Sequence, residues 1–403
     1  MEREKIFSEA KTMIPRFKPN LGWGEFKKIF SLTPKSEVQD FEDEFSAFMG
    51  QKYGRSFSYG RMALYAFLKA HGIEKKEVIL PAYTCIVMAH AIEESGNRSV
   101  FVDVRKEDLS MDFELLKKAI TKETAVIVFT SLYGAPVNLG EVQFIKEHYP
   151  HIKIIQDCTH LLNGKSQGKT IAHFGDMALF GLGLSKPVTS VFGGMLTTND
   201  AELIKKIDSV KSHLFSDSAG RGLFKRIYLF LAFIAFWRPF YNVTNFLERH
   251  GFIDYFVKLF DVDRVEIPKD SFENLSSFEA SIGRLQLEKF SETAESIQTI
   301  TRIYQQGLKV SKINVTEGIV VSHYNIRVKN RNAYMESMLS HGVQVGDMYN
   351  YSLAELKPYQ GHKYLSEHNY SKDIAREIVN LPLCVSESEA LHIVELTNKL
   401  LQS

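Results

Sequence analysis

Residues 152–160 read IKIIQDCTH, a short apolar run that ends on Asp157, with His160 three positions later. The run is too short for an ordinary helix and rich in β-branched residues. It therefore reads as a strand buried on both faces, with the aspartate at its carboxyl end. The chain on either side repeats this pattern. EVIL, SVFVDV and AVIVFT read as strands, and residues 84–95, DFELLKKAI and 139–149 read as helices between and after them. Further on, MALFGL and GGMLTT are two more strands, and DAELIKKIDSV is a helix. Continuous apolar strands separated by helices predict an α/β fold, a mostly parallel sheet sandwiched by helices. Crossovers in such a sheet are nearly always right-handed, and ligands bind beyond the carboxyl ends of its strands.

Upstream, SEVQDFEDEFSAFMG (36–50) sets Val38, Phe41, Phe45 and Phe48 at helical spacing, with Ser36 as a candidate N-cap and Gly50 as a stop. GRMALYAFLKAHG is a second amphipathic helix, ending at Gly72. After about residue 245 the alternation loosens. A helix near 277–310, a strand-like YNIRVKN, a helix near 331–341 and a last helix from Glu387 to Leu401 predict a smaller C-terminal α+β domain. The expected division is a large cofactor-binding domain over 33–245, a small domain over 246–403, and an N-terminal arm over 1–32. No internal repeat, low-complexity tract or long flexible linker interrupts it. His323, in SHYN, and Tyr349, in GDMYNYS, lie in regions that could reach a substrate, but both read as packing residues.

Composition narrows the function. The 403 residues exceed what one simple core organises. Forty-nine basic side chains against 48 acidic ones leave a formal charge of +1, which argues against nucleic acid as a main partner. Cys85, Cys158 and Cys384 are far apart and form no CxxC, so neither a disulfide scaffold nor a metal site is expected, and a reducing cytoplasmic location fits. GxGxxG, P-loop and HExxH motifs are missing. The opening MEREKIFSEAKTMIPRF is charged and is not expected to be a signal peptide. IYLFLAFIAFW, residues 227–237, lies between Lys225-Arg226 and Arg238-Pro239. It falls short of the roughly 20 apolar residues a spanning helix needs. It reads as a buried or subunit-interface helix, with peripheral contact to a membrane surface as the alternative.

The chemistry sits at strand ends. In ALFGLGLSKPVTSVFGG (178–194) an uncharged, glycine-laced run arrives at a single lysine, Lys186. SYGRMAL places Gly60 and Arg61 where a loop opens a helix. An amine, a carboxylate and an anion-binding helix start on one sheet edge are the set that pyridoxal phosphate requires. The lysine bonds the aldehyde carbon, the carboxylate keeps the pyridine nitrogen protonated, and the helix start with a cation holds the phosphate. Each residue also has a plain structural reading. Asp157 could cap a helix, His160 could be a packed core histidine, Arg61 could be a surface residue, and Lys186 could snorkel from the sheet edge. Their joint placement favours the chemical reading.

From FEDEFSAFMGQKYG through GRMALYAFL, EVILPAYTC, VFVDV, LYGAP, IIQDCTHLLNG, FGDMALF, LSKPVTSVFGGMLTTND and ASIGRLQLEKF to LPLCVSESEA, the order and spacing resemble the DegT/StrS-type sugar aminotransferases. The resemblance runs from about 33 to 400 and implies a fold-type I pyridoxal-phosphate enzyme. It implies Lys186 as the catalytic, cofactor-bonding lysine, Asp157 as the ring-nitrogen partner and His160 near the ring. Gly60 and Arg61 fall where the family has a phosphate-binding Gly-Thr pair. Three positions depart from the family: Gly181 in place of a phosphate-binding serine, Cys85 in place of a stacking aromatic, and Phe272 in place of a partner-reaching asparagine, with Asn274 two residues on. The resemblance further implies a homodimer with its site at the interface, glutamate as amino donor and a nucleotide-linked keto-sugar as acceptor. The setting it implies is cell-surface polysaccharide or secondary-metabolite biosynthesis. Two rivals stand beside it. One is a pyridoxal-dependent sugar dehydratase, whose known relatives carry histidine where this chain has Lys186. The other is a non-catalytic or membrane-associated binding protein on the same scaffold.

Overall fold

The computed structural model describes residues 13–135, 137–166, 169–252, 261–316 and 318–402. Of the arm expected over 1–32, residues 1–12 lie outside the described residues. The centre is an eight-stranded sheet: β1 (Tyr53–Phe57), β2 (Glu77–Pro81), β3 (Arg98–Val102), β4 (Thr124–Thr130), β5 (Lys153–Asp157), β6 (Met177–Gly181), β7 (Gly194–Thr198) and β8 (Tyr364–Leu365). Across the sheet the order is β1-β7-β6-β5-β4-β2-β3-β8. Every pairing from β6 to β8 is parallel, whereas β7 runs antiparallel to both β6 and β1.

The apolar strands divide their side chains between two layers. Val126 and Val128 of β4, with Val78 and Leu80 of β2, pack among Met62, Leu64, Ile92 and Ile207 on one face. Ile127 and Phe129, with Ile79, Val100 and Ile154, pack among Leu115, Leu116 and Ile145 on the other. Successive strand residues point to opposite faces, so a strand covered on both sides must be apolar at every position. The covering helices are α3 (Gly60–Ala70), α4 (Ile86–Glu94) and α7 (Ala201–Leu214) on the first face, and α5 (Phe113–Ala119) and α6 (Leu139–His148) on the second. Two of these helices start on an aspartate cap: for α5 Asp112 accepts from Leu115 N–H at 3.0 Å, and for α7 Asp200 accepts from Glu202 N–H at 2.8 Å.

A third core joins Phe41 and Phe45 of α2 (Ser36–Phe48) to Phe180 at the end of the sheet and to Ile300, Tyr304, Tyr324 and Ile393 of the C-terminal elements. Full burial of such side chains contributes about 1.5–3 kcal/mol each. The antiparallel strands Tyr324–Arg327 and Ile378–Leu381 and the helix Glu387–Gln402 belong to this part.

Several elements differ from the sequence reading. The strand YGRSF at 53–57 is not legible in the sequence, because glycine and arginine interrupt its apolar pattern; it pairs along its whole length with β7. The helix expected over 277–310 is two helices, Ser277–Glu288 and Phe290–Gly307, broken at Lys289, whose side chain is held by Asn20 O and Glu25. Ser36 is the first helical residue and makes no cap. The apolar stretch 227–237 is not a buried helix. It belongs largely to α8 (Ala219–Ala235), which buries Leu229 and Ala232 but exposes Ile227 and Leu231. The start of α8 is fixed by Arg221, which donates to both oxygens of the buried Glu279 at 2.7 and 2.8 Å.

The tightest constraint in the sheet is at Gly194. A Cβ there would lie 2.3 Å from both the nitrogen and the Cα of Gly60. Gly194→Ala is expected to push α3 off β7 and cost about 1–3 kcal/mol, read as a lower urea midpoint. Gly220→Ala, with open space around its Cβ, is the control and should stay within about 0.5 kcal/mol of wild type.

Candidate active site

Asp157 is the last residue of β5 and faces Leu179 of β6 in register. Lys186 follows β6 by a short turn in which its N–H donates to Gly183 O at 2.9 Å. The lysine stem passes over Gly181, where an added Cβ would sit 3.6 Å from Lys186 Cε and 3.5 Å from Thr159 Cγ2. Adjacent strand ends thus bring the amine and the carboxylate into one chamber. Thr159 N–H donates to Asp157 Oδ1 at 3.0 Å and fixes the carboxylate.

Burial governs the electrostatics. Lys186 is lowered from the ordinary lysine value to about 8 by desolvation, a shift that the nearby Cys85 and Asp157 partly oppose. Desolvation pushes Asp157 upward, against its hydrogen bonds to Thr159 and the field of Lys186. His160 and His323 are held well below the usual histidine range by burial and then by Lys186, so both are neutral at pH 7. Cys85, at the start of α4, has its thiol raised by burial.

His160 Nε2 and the Tyr349 hydroxyl share a hydrogen bond of 2.9 Å, and their rings stack at 5.4 Å. His323 lies 5.2 Å from His160 on another side, and Tyr133 lies 5.2 Å from it as well. Tyr133 and Tyr349 both adopt left-handed backbone, with φ of 52° and 59°. Such conformations cost about 1–3 kcal/mol each and cluster at functional sites. In sequence, His323 and Tyr349 read as packing residues. The structure packs both rings against His160. Their ring contacts join segments far apart in the chain, which no local pattern reports.

The helix start lies close by. Gly60 opens α3 against Phe180 O and Gly181 Cα, at 3.2 and 3.4 Å from an added Cβ. Arg61 is 6% exposed. Its guanidinium sits over the Tyr59 ring at 4.5 Å and donates to Ser271 Oγ at 3.3 Å, while its Nε–H has no partner. Arg221 and Lys225 each lie 6.0 Å from the same ring, a group of buried cations that the sequence does not announce. Phe272 turns into its own core against Tyr65 and Phe215, and Asn274 donates to Asp217.

The donors present suit a group with an anionic end and a reactive carbonyl. Thr84 Oγ1, Ser131 Oγ, His160 Nδ1 and Arg61 Nε are buried without a partner among the described residues. Leaving such groups unmet costs about 1–3 kcal/mol each, so a polar ligand is expected against them. An open pocket leads from Lys186 past Ser322 and His323 to Arg16, Phe17 and Lys18. Among the described residues no cluster of ligating side chains could hold a metal ion.

Comparison with known proteins agrees with this arrangement. The GDP-perosamine synthase of Escherichia coli O157:H7 is 33% identical over 167 residues, 41% of this chain and 46% of that protein. The dTDP-4-amino-4,6-dideoxy-D-glucose transaminase of Shigella dysenteriae is 29% identical over 179 residues, 44% and 48% of the two chains. The chain thus spans about half the length of the curated relatives it matches. Among solved structures, E. coli GDP-4-keto-6-deoxy-D-mannose-3-dehydratase with bound hydrated PLP superposes with a TM-score of 0.74 at 18% identity, covering 95% of this chain and 99% of that one. The DegT/DnrJ/EryC1/StrS aminotransferase profile matches residues 28–233 and 264–395, most of the sheet and both strand ends that carry the chamber, so the chain belongs to that family.

Proposed function

We propose that this chain is a pyridoxal-phosphate-dependent aminotransferase that delivers an amino group to a nucleotide-linked keto-sugar. The observation that carries the reading is Lys186, half-buried and lowered to about 8 by desolvation, at the strand end beside Asp157. A lysine without a bound carbonyl is costly in such a place, and one that bonds an aldehyde carbon is not. The names of the relatives support a sugar nucleotide as the substrate class, and the resemblance supports glutamate as the donor.

Pyridoxal phosphate, when bound, supplies an electron sink for the carbon that loses its proton. Lys186 would hold it covalently, Asp157 would keep the ring nitrogen charged, and the α3 start with Arg61 would receive the phosphate. The orphaned Arg61 Nε–H fits that anion, since Gly181 offers no hydroxyl to it. With its amine free, Lys186 Nζ would act as base toward the donor carbon and as acid toward the cofactor carbon in one half-reaction, and in the reverse sense with the acceptor in the other. Neutral His160, steadied by Tyr349, packs beside the ring position without adding charge. We place the active unit as a homodimer in the cytoplasm, with the division near residue 245 separating the large and small domains. The presence of lysine at 186 favours transamination over dehydration.

Mixing apoprotein with pyridoxal phosphate should give a visible absorbance band and, after borohydride reduction, a mass increase on the peptide holding Lys186. Lys186→Ala should give neither; a band unchanged in that variant refutes the assignment and leaves a binding protein. Covalent capture needs the neutral amine, and burial lowers the lysine, so the capture rate should rise with pH and level off above about 8. A rate flat from pH 6 to 9 contradicts a desolvated amine. Arg61→Met should raise the dissociation constant for pyridoxal phosphate roughly 10- to 100-fold, the loss of a charge-assisted phosphate contact of about 1.5–3 kcal/mol, without shifting the band.

A further inference from the structure

The family profile passes over residues 234–263, which contain the end of α8 and all of α9 (Arg238–Arg249). Together α8 and α9 carry a series of exposed large apolar side chains, from Leu223 to Phe246. One side of α8 is satisfied: Leu229 is fully buried against Phe278 and Ile282, and Arg221 is paired with Glu279. The other side exposes Leu223, Ile227, Leu231 and Ile234, spaced three and four residues apart. In α9, Phe240, Val243 and Phe246 point outward at the same spacing, and Trp237 between the helices is 58% exposed and stacks on Phe240 at 5.4 Å. The surface continues onto α1 (Trp23–Ile29), where Phe26 meets Phe233 at 5.3 Å and Trp23 is 68% exposed.

Charge decides between occupants. Of the five arginines and lysines in residues 219–250, Arg221 and Lys225 are buried, Arg226 donates to Lys28 O and Ile29 O, and Arg238 pairs with Glu389, which leaves Arg249 exposed beside the one carboxylate, Glu248. Glu248 is engaged by Arg16, and Glu25 of α1 is buried against Lys289. Exposed Lys27 and Arg249 remain at the edges. A self-complementary contact between two copies would offer Lys27 and Arg249 no free carboxylate from α1, α8 or α9. Anionic headgroups match it. Aromatic and aliphatic side chains on one helix face, with cations at its margin, are the pattern of helices that lie in a bilayer interface. Among the described residues no helix is long and apolar enough to cross a membrane.

We propose that α8 and α9, with the Trp23 edge of α1, seat this protein on the surface of an anionic phospholipid bilayer. The active site then works beside the membrane plane. This goes beyond the aminotransferase reading and does not depend on it.

Full-length protein should float with phosphatidylcholine vesicles containing about a quarter phosphatidylglycerol and bind them at least tenfold more tightly than pure phosphatidylcholine, with binding weakened by salt. The triple variant Ile227→Glu, Phe240→Glu, Phe246→Glu should lose flotation while keeping wild-type circular dichroism and the Lys186-dependent absorbance, which shows that fold and cofactor site are intact. Wild-type protein that floats with neither vesicle, or a triple variant that floats like wild type, overturns the proposal. So does sedimentation velocity in which the triple substitution turns a wild-type dimer into a monomer without any vesicle binding, since the face is then a contact between copies.

Discussion

Three glycines touch where the cofactor chemistry is expected. Gly194 pairs with Gly181 in the antiparallel ladder, and both press on the backbone of Gly60 at the start of α3. No residue with a side chain fits at 194 without displacing the first turn of that helix. This contact sets the N–H groups of α3, and the charge that its dipole supplies, against the end of the strand that leads to Lys186. The remaining parts of the site are arranged around it. Arg61 adds a permanent cation one residue into the same helix.

The chamber is a desolvated one, and that is why its titratable groups are perturbed together. Asp157, His160 and His323 are buried and Lys186 and Cys85 are half-buried beside them, so desolvation moves each toward its neutral form. A neutral amine and neutral imidazoles suit proton transfer at carbon, while the buried carboxylate suits a cationic ring nitrogen. The strained tyrosines at 133 and 349 place their rings beside His160, and the rest of the fold carries the conformational cost.

The α8–α9 unit obeys a different logic. Its inner side is built as a core, with a bidentate ion pair and buried aliphatic residues, and breaking that pair would leave a buried charge unmet at a cost of about 3–5 kcal/mol. Its outer side repeats the same apolar chemistry toward solvent. A helix apolar on both sides belongs between two apolar surroundings, and only one of them lies among the described residues.

Local pattern determined the strands 77–81, 98–102, 124–130, 153–157, 177–181 and 194–198 and the helices that cover them, because two-sided burial demands unbroken apolar runs that the sequence displays directly. It also placed Gly60, Arg61, Asp157, His160 and Lys186 at strand ends and at a helix start, where backbone geometry alone assigns them to one edge. It did not reveal β1, whose stability comes from pairing with β7 rather than from its own residues, nor the end strand at 364–365, whose partner lies far away in sequence. Tyr349, His323, Arg221 and Lys225 became site neighbours only through tertiary packing, since ring stacking and cation–aromatic contacts form across hundreds of residues and leave no periodic trace. The direction in which the apolar stretch 227–237 faces was likewise settled by packing. Composition states how apolar a helix is, but which of its sides meets the core depends on where Arg221 finds Glu279 and where Leu229 finds Phe278.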